Sequence, residues 1–70
     1  MPIVNRIELG RELVKTLGHV NLQIQEVVKL AKDMECEPHA VRDTRGGFLL
    51  APLLVSKTQL LHALVLINKE

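Results

Sequence analysis

Cys36, His39, His19 and His62 are the candidate metal ligands of this 70-residue chain. Cys36-Glu37-Pro38-His39 has C-x-x-H spacing, enough to offer one thiolate and one imidazole to a zinc ion. A closed zinc site needs four convergent ligands, and His19 and His62 stand alone on other segments. The spacing is therefore expected to hold no metal unless a symmetry axis doubles it. Cys36 is also poorly placed as a nucleophile, because the negative end of a helix dipole disfavours the thiolate. The chain has no G-x-S-x-G, no phosphate-cradling glycine loop and no carboxylate pair in an apolar setting. Glu8, Glu12, Glu26 and Asp33 read as solvated charges on a helix face. No catalytic residue, metal or cofactor is expected, since an enzyme needs titratable groups gathered in a pocket.

One stretch has the composition of an anion site. Arg42 and Arg45 flank Asp43 and Thr44 and are followed by Gly46 and Gly47. Two guanidiniums beside glycine amides at a turn can hold a phosphate or a carboxylate. The competing reading is that Gly46 and Gly47 only supply positive φ, while Arg42 and Arg45 keep an exposed turn soluble.

Composition narrows the classes further. Phe48 is the only aromatic residue, whereas single-stranded nucleic-acid readers stack bases on aromatic platforms. Formal net charge is +1, too small to steer the chain toward phosphate or anionic lipid. Leu, Val and Ile number 13, 8 and 4, so aliphatic residues dominate a chain too short to bury them easily. Cys36 is the only cysteine, which rules out an internal disulfide and fits a cytoplasmic setting with no secretory leader. Small domains lacking disulfides and metals are usually reinforced by oligomerisation. The most apolar stretch, residues 47–67, is interrupted by Pro52 and by Ser56-Lys57-Thr58-Gln59. It falls short of the ~20 uninterrupted apolar residues of a membrane span, so no membrane partner is expected.

The elements that would position these residues follow from periodicity. Leu13, Leu17, Val20, Ile24, Val27, Ala31 and Met34 recur at gaps of four and three, the heptad rule for one stripe along a helix. Asn5 with Glu8 forms a capping box, and Val4 with Leu9 is spaced as a hydrophobic staple. Pro38 should stop this helix, giving a helix over about 5–37. Gly18-His19 could break it, with Asn21 capping a second helix, but the stripe keeps phase through Gly18 and favours one helix. Residues 39–51 read as a β-hairpin around the Asp43–Gly47 turn, with Pro52 ending the second strand. Ser56 and Gln59 repeat the capping box and set a last helix over about 56–68. Leu60, Leu61, Ala63, Leu64, Val65, Leu66 and Ile67 wrap most of that helix, leaving a narrow polar strip through Thr58, His62 and Lys69. Such a helix needs cover on several sides.

The expectation is one α+β domain over residues 1–70, mainly helical, built as an intertwined or tightly packed homo-oligomer. Leu13, Leu17, Val20, Ile24, Val27, Leu60, Leu61, Leu64 and Ile67 are its expected shared interface. The expected function is non-enzymatic and cytoplasmic: a homodimer or higher even oligomer that binds another macromolecule as adaptor, inhibitor or accessory factor. The alternative is a phosphate-ligand binder, for nucleic acid or nucleotide, using Arg42, Arg45, Gly46 and Gly47.

Overall fold

The structure, a computed structural model, describes residues 5–69. Helix α1 spans Arg6–Asp33, a single 3-10 turn covers Pro38–Ala40, and helix α2 spans Leu50–Asn68. The two helices form an antiparallel hairpin, since Ile7 and Val14 near the start of α1 share a groove with Leu64, Ile67 and Asn68 near the end of α2.

Helix α1 begins as its sequence dictates. Asn5 is extended (φ −71°, ψ 117°) and its Oδ1 accepts from the Ile7 N–H at 2.9 Å, satisfying one of the orphan donors of the first turn. The Val4 staple lies outside the described residues. Gly18 does not interrupt the helix, which runs 28 residues, about 42 Å at 1.5 Å per residue.

The helix ends earlier than Pro38 requires. Glu35 adopts φ 54°, its N–H donates to Lys32 O at 3.2 Å, and the Cys36 N–H donates to Ala31 O at 3.0 Å. This crossed pair of bonds is a Schellman motif. Its accompanying apolar contact comes from Cys36, which packs against the cluster containing Ala31. Glycine is the usual occupant of the left-handed position, and Glu35 holds it here at a cost.

The expected hairpin of strands is not formed among the described residues. Arg42 and Phe48 make one isolated antiparallel bridge, flanked by Asp43 N–H to Gly47 O at 2.8 Å and Leu49 N–H to Val41 O at 3.2 Å. Proline at position 38 opens a 3-10 turn and takes His39 and Ala40 out of the first strand. On the other side Leu50 is already helical, which removes Leu50 and Ala51 from the second strand. The architecture is therefore all-helical rather than α+β.

Helix α2 starts six residues before the Ser56 box. Pro52 falls in its first turn, where a missing N–H costs nothing and a φ fixed near −65° suits the helix. Inside the helix, Thr58 Oγ1 donates back to Leu54 O at 3.0 Å, so this local polar group is satisfied without a cap.

Between the helices the stripe does its packing. On α1 the half-buried or buried positions include Leu13, Leu17, Val20, Ile24, Val27 and Ala31, while Met34, past the helix end, is exposed. Facing them on α2, Leu50, Leu53, Lys57, Leu60, Leu64 and Ile67 are buried or half-buried at gaps of three and four. The densest part lies at the closed end. There Val27, Ala31, Val41 and Leu50 form a buried cluster, with Ile24, Leu49, Leu53 and Leu54 packed on it. Val41 and Ala31 are each only 1% exposed.

Glu35→Gly should stabilise the chain by about 0.5–1 kcal/mol. Glycine removes the left-handed penalty, while its larger unfolded-state freedom takes part of that gain back. Thermal unfolding at fixed protein concentration should show a midpoint a few degrees higher. An unchanged or lower midpoint would count against strain at Glu35.

Candidate interaction surfaces

The residues with the chemistry to form a site are dispersed. Cys36 is half-buried at the end of α1, His39 is exposed on the 3-10 turn, and His19 and His62 are exposed on α1 and α2. No group of three metal-ligating side chains comes together among the described residues. Glu8, Glu12, Glu26 and Asp33 are all exposed.

At the Arg42–Gly47 turn the geometry is closed. Asp43 Oδ1 accepts from the Arg45 N–H at 2.8 Å and the Gly47 N–H at 2.9 Å, and Asp43 O accepts from the Gly46 N–H at 3.0 Å. Gly46 sits at φ 86°, a conformation that favours glycine. At Gly47 a Cβ would meet the Asp43 carboxylate at 3.4 Å, an ordinary van der Waals contact, so of the two glycines only Gly46 is demanded by the turn's geometry. The amides that sequence offered to an external anion are thus held within the turn, Gly47 by the Asp43 carboxylate and Gly46 by the Asp43 backbone carbonyl. Asp43 carries the signal for a self-capped turn, since an Asp side chain can accept from the backbone two residues on, here Arg45, with glycines three and four residues on.

Of the two arginines, Arg42 is turned onto an aromatic ring. Its guanidinium carbon lies 4.5 Å from the centroid of Phe48, and Phe48 remains 48% exposed. An exposed cation–π pair of this kind contributes about 0.5–1 kcal/mol. Beside it lies a groove of about 470 Å³, floored by Val27, Leu30, Leu49 and Leu53 and edged by Glu26 and Asp43. A larger groove of about 700 Å³ lies at the open end, where Ile7, Val14, Leu64 and Ile67 meet the basic residues Arg6, Arg11 and Lys15.

Leu13, Leu17, Val20, Ile24 and Val27 face Leu60, Leu64 and Ile67 of the same chain. Leu61 stands outside that seam and is exposed. The apolar positions left open are therefore mostly neighbours of the expected ones: Ile7, Val14, Leu22, Val28 and Leu30 on α1, with Val55, Val65 and Leu66 on α2. α2 is also long and apolar enough, by length and composition, to cross a bilayer.

Asp43→Ala should free the Arg45 and Gly47 amides. Hydrogen exchange at those two positions is expected to accelerate about tenfold, with the interior of α1 unaffected, because the lost bonds are local. Equal acceleration along α1 would show that Asp43 stabilises the whole fold instead. Comparison with protein-family models, with curated proteins and with solved structures finds no match for this chain.

Proposed function

We propose that this chain is a non-enzymatic, self-associating helical hairpin that acts in the cytoplasm by docking on another macromolecule. The observation that carries the reading is surface left uncovered. The chain exposes 5893 Å², whereas a compact folded monomer of its 7.9 kDa would expose about 4,400 Å². Its radius of gyration, 15.3 Å, likewise exceeds the roughly 11 Å of a compact 70-residue domain. A hairpin of two helices has one seam, and Val20, Val27, Ala31, Val41 and Leu50 are the buried apolar residues it provides. Association supplies the missing cover.

For a further macromolecule, the surface best suited is the closed end. Phe and Arg are enriched at protein interfaces, and here Phe48 lines an apolar groove while Arg42 stacks on its ring. The acidic rim of Glu26 and Asp43 favours a partner with basic side chains around an apolar anchor. The phosphate-ligand reading has lost its amide cradle to Asp43 and rests only on Arg42 and Arg45.

Sedimentation equilibrium of the purified chain at micromolar concentration should give a mass at least twice that of one chain. A folded monomer throughout that range would overturn the reading. Absorbance offers a second check, since the chain has no Trp or Tyr and is nearly transparent near 280 nm. A sample free of a band near 260 nm is expected. Such a band would report a co-purifying nucleotide or nucleic acid and revive the phosphate alternative.

A further inference from the structure

Seven-residue spacing separates the two broad faces of the hairpin. On α1, Ile7, Val14, Asn21 and Val28 lie in one line beside the seam. On α2, Leu54, Leu61 and Asn68 lie in the corresponding line, with Val65 just outside it. Both lines belong to the same face, because Ile7, Val14 and Asn68 share one groove. Ile7, Val14, Val28, Leu61 and Val65 on this face are all exposed, between 44% and 69%.

The other face has a different character. Its α1 line is Leu9, Thr16, Gln23 and Leu30, edged by Glu12, Glu26 and Asp33, and its α2 line is Leu49, Ser56 and Ala63. Gln23, Leu30 and Leu49 share the second groove, which places these lines together. The first face is thus aliphatic along its middle, with Arg6, Arg11 and Lys15 at the open end and Lys32 toward the other, while the second exposes Leu9 and Leu30 among acidic and polar residues.

We infer that the aliphatic face is covered by the same face of a second copy, forming a four-helix bundle with Asn21 as its buried polar element. This rests on the self-association reading above and specifies where it occurs. Area supports a copy as the occupant. The hairpin measures 48 × 20 × 16 Å. Two such broad faces in contact would cover on the order of 1,000 Å² on each partner, about 2,000 Å² in total, the lower range of obligate homodimers. That is the same order as the roughly 1,500 Å² by which one chain exceeds a compact monomer. Isologous pairing also needs a surface that is apolar on both sides of the contact, which one aliphatic face meets by itself.

Asn21 is the informative residue in this plane. It is half-buried, flanked at seven residues on either side by Val14 and Val28, and makes no side-chain hydrogen bond among the described residues. A single Asn among apolar interface positions fixes register and oligomer number at a cost in affinity. In the bundle its amide gains a partner from the second chain.

The test is sedimentation with the full chain and three variants. Val14→Glu and Leu61→Glu place a charge on the aliphatic face at positions already exposed in one chain. Each should weaken association by at least roughly 100-fold, as loss of a central anchor does. Gln23→Glu on the opposite face should leave it unchanged. Because a dissociated hairpin can also unfold, Asn21→Leu supplies a gain instead of a loss. Association should tighten by at least roughly tenfold, or the single species should give way to a mixture of sizes. Oligomers that form but ignore all of Val14→Glu, Leu61→Glu and Asn21→Leu would overturn this face and leave self-association standing. A wild-type chain that stays monomeric and floats with phosphatidylcholine–phosphatidylglycerol vesicles would overturn both, assigning the apolar surface to a bilayer.

Discussion

Two helices in contact can each hide one stripe, and this constraint shapes the whole chain. The seam between α1 and α2 takes Leu13, Leu17, Val20, Ile24, Val27 and Ala31 from one helix and Leu50, Leu53, Leu60, Leu64 and Ile67 from the other. Lys57 occupies one seam position half-buried, consistent with an aliphatic stem lying along apolar neighbours while its ammonium reaches water. Among the described residues nothing remains to cover the other sides of α2. The seam therefore explains both why the hairpin forms and why it is incomplete.

Direction along the seam is set at the closed end. The Schellman bonds of Glu35 and Cys36 stop α1, the 3-10 turn at Pro38 redirects the chain, and Val41 is driven into the gap between Val27, Ala31 and Leu50. Asp43 then closes the turn and Phe48 returns beneath Arg42. Each device is local and small, of the order of 1 kcal/mol, but together they bring Leu50 onto Val27. Toward the open end the seam residues are only half-buried, apart from Val20. Cover there depends on what the neighbouring surface meets.

Much of α1 was legible because its signals agree. The Asn5 cap, the unbroken phase through Gly18 and the heptad stripe all favour one helix, and one helix forms. The middle of the chain misleads for a physical reason. Val41, Arg42, Phe48 and Leu49 do pair like strand residues, but only around one bridge, since prolines at 38 and 52 each favour a helical turn where strands were expected. Proline was read as a strand terminator at position 52, although the first turn of a helix accepts it equally well. The Ser56–Gln59 pattern matched a capping box but sits inside α2, because an upstream apolar run, Leu49 to Val55, gains more by continuing the seam than by ending it. Positions such as Leu13 and Leu64 were legible as interface. That the stripe can cover the last helix was legible too, but periodicity marks a stripe without naming which copy of the chain supplies its cover. At Arg42–Gly47 the residue types suffice to mark a turn, whereas the bonds from the Arg45 and Gly47 amides to the Asp43 carboxylate depend on the closed geometry of that turn.

The apolar circumference of α2 poses a choice between a bilayer and a protein neighbour, and the seam bears on it. Helix α1 carries Arg11, Glu12, Lys15, Glu26, Lys29 and Lys32, all exposed, so it cannot accompany α2 into hydrocarbon without burying charge. Insertion of α2 would then require separating it from α1 and giving up the contacts of Leu50, Leu53, Leu60, Leu64 and Ile67. It would also carry Ser56, Lys57 and Gln59 toward the middle of the membrane. In the proposed pairing the seam stays closed and Val14, Val28 and Leu61 gain cover, while Arg11 and Lys15 border the contact at the open end, where long side chains can keep their charges in water. The seam contacts of α2 and the exposed charges of α1 thus weigh against insertion of α2 alone and agree with the proposed pairing of hairpins.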